Sequence, residues 1–165
     1  MTAPLKFYVC ETDAGWVGLV ISPRGLRATT LPRPSHDDAL REALELGATE
    51  PASGAEARDL AERVRHLAAG GPADLPIDWD GISPFRRAVL EETTRIPAGQ
   101  TRSYGWLAAK VGNPRAARAV GRVMATNPLP IVVPCHRVVA SDGSLHGYGG
   151  GLEMKARLLK AEGAT

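Results

Sequence analysis

Ile131-Val132-Val133-Pro134-Cys135-His136-Arg137-Val138-Val139 plants a thiol, an imidazole and a guanidinium in a run of β-branched apolar residues. Such a run is ordinarily a buried strand or core segment. Pro134 forces an extended or turning backbone just ahead of the cysteine. A free cysteine, with a pKa of about 8.5, is mostly thiol at neutral pH; a neighbouring His or Arg favours the thiolate and makes it a nucleophile. The stretch alone allows a second reading, since a lone cysteine in an apolar run also serves as a small core residue.

The 165 residues are 44% hydrophobic and 23% charged, enough for one large or two small domains with a real core. Gly and Pro are frequent but not repetitive, and there is no internal repeat, so the chain reads as globular. Cys10 and Cys135 are the two cysteines, and no C-x-x-C spacing points to zinc. Counting leaves a disulfide between them open. The opening Met1-Thr2-Ala3-Pro4-Leu5-Lys6 is no apolar signal region, so free thiols and a cytoplasmic location are expected. No apolar run has the length to span a bilayer, and no membrane partner is expected.

The formal net charge is +2, unevenly spread. Residues 1–81 hold 8 Lys+Arg against 13 Asp+Glu, a net −5, and residues 82–165 hold 12 against 5, a net +7. An acidic half joined to a basic half suggests that the basic half meets a polyanion. A solvated surface would look the same by charge alone.

Residues 5–31 read as a three-strand meander over 5–10, 16–21 and 26–31, with turns at Thr12-Asp13-Ala14-Gly15 and Ser22-Pro23-Arg24-Gly25. Ser35 can cap a helix over His36 to Leu46, with Ala39, Leu40, Ala43 and Leu44 in helical spacing. A second helix fits Gly54 to Ala69, with Leu60, Val64 and Leu67 inward. This half, residues 1–72, is a small α/β scaffold with no evident chemical constellation. Residues 73–83 are linker-like, with Trp79 as an apolar anchor. Residues 84–165 form the second domain. Its first helix starts at Ser83-Pro84, Ser as cap and Pro at the first position, and runs through Phe85, Ala88, Val89 and Glu92 toward Pro97.

Ser103 caps the next helix, Tyr104 to Val111. Gly112-Asn113-Pro114 is a sharp turn, with Asn113 as cap of a helix from Pro114 to Thr126. Two helices joined by a tight Gly-containing turn read as helix-turn-helix. On the second helix Ala117, Val120 and Met124 share one face, while Arg115, Arg118 and Arg122 form a basic stripe roughly opposite. Ala116, Ala119 and Gly121 keep it thin. Such a helix suits phosphate contact and groove entry; an ordinary amphipathic helix with its arginines in water has the same pattern. Past the Cys-His stretch, Leu145-His146-Gly147-Tyr148-Gly149-Gly150-Gly151 is a loop whose backbone can lie against a flat ligand, and not a dinucleotide fingerprint. A last helix, Leu152 to Glu162, points Leu152, Ala156 and Leu159 inward.

Together, Asn127-Pro128, Pro130-Ile131, Pro134-Cys135-His136-Arg137-Val138, Gly147-Tyr148, Gly150-Gly151-Leu152, Lys155, Leu158-Leu159 and Glu162-Gly163 resemble the O6-alkylguanine-DNA alkyltransferases, the methylated-DNA–protein-cysteine methyltransferases. Thr101, Ser103-Tyr104, Gly112-Asn113-Pro114 and Ala116-Ala117-Arg118-Ala119-Val120-Gly121 match as well. The strong resemblance covers about residues 84–163; the N-terminal half matches loosely, through Thr12, Gly15, Gly25-Leu26 and Leu31-Pro32.

The resemblance implies an α+β protein: a small N-terminal α/β, ribonuclease H-like domain, and a C-terminal helical, winged-helix-like domain that carries the active site. It implies that Cys135 accepts an alkyl group from O6 of guanine in double-stranded DNA. His136 would form the thiolate through a bound water and Glu162 would orient His136, the logic of nucleophile, base and orienter. Asn127 would tie the recognition helix to the cysteine loop. Tyr104 would help rotate the nucleotide and donate a proton toward the departing guanine. Arg118 would fill the gap in the base stack. Arg115, Arg122, Ala117, Gly121 and Ser103 would meet DNA, and Val138, Leu145, Tyr148, Gly149 and Gly150 the flipped base. A base inside a duplex must leave the stack to react, at about a few kcal/mol.

The thioether product has no thiol-exchange route back, so one transfer per molecule is expected. No cofactor is implied, and the expected state is a monomer with room for cooperativity on DNA. Some family members hold an N-terminal zinc; with only His36, His66 and Cys10 in that half, no metal is expected here. The family often carries Gln near Ala88 and Ser at Gly149, differences that bear on substrate range. Two alternatives stand beside this reading. A non-catalytic alkyltransferase-like lesion binder would lack the acceptor cysteine, and a Cys-His hydrolase would turn over many times.

Overall fold

The computed structural model describes residues 3–146 and 148–164; Gly147 of the predicted loop lies outside the described residues, as do Met1, Thr2 and Thr165. The chain gathers into two compact units, Met1–Asp80 and Gly81–Thr165. Among the described residues no helix is long and apolar enough to cross a membrane.

The first unit is built on a sheet. β1 (Leu5–Thr12), β2 (Gly15–Ser22) and β3 (Gly25–Thr29) form the antiparallel meander that the turn residues predict. Gly15 holds the first turn at φ 134, where a Cβ would meet the Arg33 carbonyl oxygen at 2.9 Å, so a larger residue is barred twice over. β4 (Ala48–Pro51) adds in parallel to the open side of β1, giving the order β3-β2-β1-β4. The sequence reading has no strand there, because three of the four residues are exposed and no apolar alternation marks them.

Helix α1 (His36–Glu45) starts at Ser35, whose hydroxyl accepts from the Asp38 amide at 3.1 Å. It buries Ala39 and Ala43, and the small side chains permit close approach: a Cβ on Gly18 of β2 would lie 2.9 Å from the Ala39 carbonyl oxygen. Leu44, on the predicted inward face, is exposed. Helix α2 (Ala55–Ala68) buries Ala57, Leu60, Ala61 and Val64. Part of the predicted linker is fixed along β3: Leu26 donates to Pro76 O and Asp78 donates to Leu26 O, each at 2.9 Å.

The second unit contains α3 (Pro84–Thr93), β5 (Arg102–Ser103), α4 (Tyr104–Lys110), α5 (Ala117–Ala125), a 3₁₀ turn (Cys135–Arg137), β6 (Val138–Val139) and α6 (Leu152–Ala161). Ser83 caps α3, with Pro84 at its first position, as the sequence suggests. Val89 and Leu90 of α3, Leu107 and Ala108 of α4, and Val120, Val123 and Met124 of α5 are buried where the three helices pack.

Two sequence expectations are corrected here. Helix α5 begins at Ala117, not Pro114: Ala116 donates to Asn113 O at 3.0 Å and closes a separate turn first. Arg115 sits in that turn, so the basic stripe on the helix itself is Arg118 and Arg122. Helix α6 is rotated from its predicted face. It buries Lys155, Leu158 and Leu159, while Leu152 is 50% exposed and Ala156 is exposed. A lysine holds the central inward position, and counting apolar residues passes over it.

Candidate active site

Every residue from Leu129 to Val139 is buried, yet only Val138–Val139 is strand, paired in parallel with β5 through Arg102↔Val138 and Ser103↔Val139. Tight turns replace the predicted extended run ahead of it. Asn127 organises them: its Nδ2 donates to Val133 O at 2.9 Å and its Oδ1 accepts from the Leu129 amide at 2.9 Å. The Val133 amide donates to Leu129 O at 2.8 Å, and the Cys135 amide donates to Val133 O at 2.7 Å. With Pro134 at φ −76 and ψ 66, that last bond is an inverse γ-turn that delivers the chain into the Cys135 turn. Ile131 sits at φ 75, a left-handed conformation that costs an L residue about 1–2 kcal/mol. The hydrogen bonds at Leu129 and Val133, on either side, over-determine it.

Cys135 is 2% exposed. Burial pushes its thiol up to about 11, only partly offset by the Asn127 side chain, the charge of Lys155 and the backbone amides of Cys135 and His136. The resting sulfur is therefore a thiol, and proximity to His and Arg in sequence does not by itself ionise it. Cys10 and Cys135 are both free and buried.

His136 is 3% exposed, and its Nε2 meets Glu162 Oε1 at 2.9 Å. Burial pushes the imidazole below its usual range, against the pull of Glu162, so it is neutral at pH 7. Burial opposes the charge on Glu162, but the hydrogen bonds and charges of His136 and Arg137 outweigh it and hold the carboxyl down at about 2. An ionised Glu162 can only accept, so Nε2 carries the imidazole hydrogen and Nδ1 presents its lone pair. Nδ1 is buried without a hydrogen-bond partner among the described residues. The set is a weak acid, a neutral base and a fixed anion behind the base.

Arg137, read from sequence only as a neighbour that favours the thiolate, instead fixes that anion. Its Nε donates to Glu162 Oε1 at 3.0 Å, its Nη2 donates to Oε2, and its Nη1 donates to Ile96 O at 2.7 Å. A bidentate guanidinium sets the carboxylate plane as well as its charge. The signal present in the sequence is an arginine inside a β-branched run, whose burial calls for a counter-charge or carbonyl partners.

Tyr104 opens α4. Its hydroxyl donates to His146 O at 2.6 Å and accepts from Lys155 Nζ at 3.3 Å. Burial and the nearby Cys135 raise its pKa. Lys155 is fully buried, also donates to His146 O, and stands 5.6 Å from the Tyr104 ring centroid. Burial lowers its pKa to about 8, although the Cys135 charge would raise it. The sequence reading quotes Lys155 only as part of a motif and assigns it nothing.

Of the residues predicted to meet the base, Val138 is fully buried and Tyr148 nearly so, its hydroxyl lacking a hydrogen-bond partner among the described residues. Leu145 and Gly150 are half-buried and Gly149 is exposed. A Cβ on Gly149 would lie 3.3 Å from Ala125 O, so this part of the loop runs against the end of α5. Of the residues predicted to meet DNA, Arg115, Arg118 and Arg122 are exposed and Ala117 and Gly121 are half-buried. A Cβ on Gly121 would enter open space. The Ser103 hydroxyl accepts from the Trp106 amide at 2.9 Å and is committed to capping α4.

The chain is similar to known proteins along most of its length. The family model of the 6-O-methylguanine DNA methyltransferase DNA binding domain matches residues 84–164. A methylated-DNA–protein-cysteine methyltransferase of Salmonella typhimurium is 52% identical over 116 residues, 62% of this chain and 68% of that protein. The crystal structure of Mycobacterium tuberculosis O6-methylguanine methyltransferase matches with a TM-score of 0.75 at 30% identity, over 97% of this chain and 93% of that one. The M. tuberculosis protein solved in complex with DNA also matches with a TM-score of 0.75 at 30% identity, over 96% and 93%. With a mixed α/β fold shared along nearly its whole length and 52% identity to a relative of which it covers 68%, the chain belongs to the methylated-DNA–protein-cysteine methyltransferase family.

Proposed function

We propose that this chain repairs DNA by direct reversal, moving the alkyl group from O6 of guanine in duplex DNA onto its own Cys135. The observation that carries the residue assignment is the buried thiol beside a neutral imidazole whose far nitrogen is held by an ionised, arginine-clamped Glu162. The activity is that of a methylated-DNA–protein-cysteine S-methyltransferase. His136 Nδ1 takes the thiol proton through a bound water. The thiolate attacks the alkyl carbon in line; the S–C bond forms as the C–O6 bond breaks, and its electron pair stays on guanine. A proton from Tyr104 lets guanine leave neutral. Since Cys135 ends as a thioether, each molecule acts once. The acceptor cysteine sets this reading apart from a lesion binder without one.

Helices α4 and α5 are read as a helix-turn-helix and the second unit as winged-helix-like. The exposed Arg115, Arg118 and Arg122 support contact with phosphate. Gly121 leaves α5 flat, which suits entry into a minor groove with Arg118 filling the place of the flipped nucleotide. The order β3-β2-β1-β4 with a parallel β4 supports the ribonuclease H-like reading of residues 1–72. Val138, Leu145, Tyr148, Gly149 and Gly150 take the flipped base. The chain acts as a monomer in a reducing cytoplasm, where Cys135 stays a thiol.

Mass spectrometry after incubation with duplex carrying O6-methylguanine tests the proposal. One methyl group on Cys135 at one equivalent of DNA is the expected result. Unmodified protein, or many equivalents processed, would overturn it.

A further inference from the structure

The Tyr104 hydroxyl has one proton, and in the free protein it is given to His146 O at 2.6 Å. The proposed reaction spends the same proton on guanine. The two uses exclude each other, so the His146 carbonyl must be held by another donor when Tyr104 turns to the base. The structure places one there. Lys155 Nζ, fully buried on α6, donates to that same carbonyl and to the Tyr104 oxygen. An ammonium has three protons and can keep both bonds whichever acceptor the tyrosine proton faces.

We propose that Lys155 is a positioning residue: it latches the loop at His146 over the site and holds the Tyr104 oxygen by a lone pair, which leaves the hydroxyl proton free to move from loop to base. This rests on the functional reading above for the step in which Tyr104 changes acceptor.

Several observations agree on that role. The latch ties the start of α4 to the distant loop and α6, since the Lys155–Tyr104 bond spans 51 residues and the Tyr104–His146 bond spans 42. A buried lysine is costly unless its charge is bonded, and here its partners are the loop carbonyl and the tyrosine oxygen, with the Tyr104 ring beneath it. The amine also favours a charged Cys135 sulfur, so one group serves loop, proton donor and nucleophile.

Lys155→Met keeps the aliphatic stem and removes the donors. Amide hydrogen exchange at His146 and Tyr148 is measured on the free protein, so its outcome does not depend on whether methylated DNA is the substrate. Protection there is expected to fall by about tenfold or more, the worth of a charge-assisted hydrogen bond, with other segments unchanged. The single-turnover transfer rate is expected to fall by about tenfold or more while duplex Kd holds within about twofold, a split that general unfolding would not produce. In Tyr104→Phe the loop should stay protected, because Lys155 still holds it; this arm decides the matter even if the lysine variant fails to fold. Wild-type exchange and rate in Lys155→Met, or a Tyr104→Phe loop that opens, would overturn the latch.

Discussion

His136 Nε2 and Glu162 Oε1 meet at 2.9 Å across 26 residues of chain, with both side chains nearly out of water. This contact, with the Arg137 clamp behind it, converts burial into acid sensitivity. The Glu162 carboxyl is held at about 2, below its ordinary 4.5. A depressed carboxylate stabilises the fold fully above its unfolded pKa, and that contribution is lost as pH falls through the folded one. The window is therefore about pH 4.5 down to 2, with about 3 kcal/mol at stake. Urea unfolding across that range should show it for the wild type and a much flatter profile for Glu162→Gln. That variant should also be less stable at pH 7, since Arg137 loses its counter-charge.

A neutral His136 sets the direction of the rate profile. Burial places its pKa below 6.5. The single-turnover transfer rate should therefore fall on the acid side as the base is protonated, level off near neutrality, and decline again above about pH 8, where Lys155 loses the charge that favours the thiolate. His136→Gln should lower the plateau by about 10²-fold or more, the usual worth of a general base, with duplex affinity unchanged. Rapid-quench kinetics from pH 5 to 9 checks both. A rate still climbing at pH 9 would mean that the thiol ionises unaided.

The sequence made the meander, the helix starts at Ser35, Ser83 and Ser103, and the Cys135–His136 pair legible, because turn residues, caps and reactive side chains act locally. It hid what depends on distant partners. β4 is a strand because β1 has an open edge, not because Ala48–Pro51 alternates. The start of α5 depends on a backbone bond from Ala116 to Asn113, which competes with a helix from Pro114. Lys155 was visible as a residue but not as an inward one, since its burial is underwritten by Tyr104 and His146, 51 and 9 residues away. The thiol's high pKa was equally hidden, because desolvation is a property of the folded site.

Asn127 can be tested through the loop it ties. Asn127→Ala removes the bonds to Val133 O and from the Leu129 amide and leaves both backbone groups buried without that partner. The cost should be about 1–3 kcal/mol, most of it at the Leu129 amide, since Val133 O still accepts from the Cys135 amide. With Ile131 already at φ 75, the loop should relax and move Cys135. A lowered Tm and a methyl-transfer rate reduced more than duplex affinity are the expected readings from calorimetry and single-turnover assays.

Arg118 and its neighbours separate binding from chemistry. Arg115, Arg118 and Arg122 are exposed, and none belongs to the Cys135–His136–Glu162–Arg137 network. If Arg115 and Arg122 contact phosphates, replacing either with Ala should weaken all duplexes alike and reduce the slope of log K against log salt by about 0.9. Arg118 should behave differently. If it fills the space left by the flipped guanine, Arg118→Ala removes the compensation for unstacking, about a few kcal/mol, and slows transfer from duplex strongly. Transfer from free O6-methylguanine has no stack to repair and should keep its wild-type rate. Measuring both substrates on one variant is decisive: equal losses would place Arg118 in support of the thiol, and no loss on duplex would remove it from the mechanism.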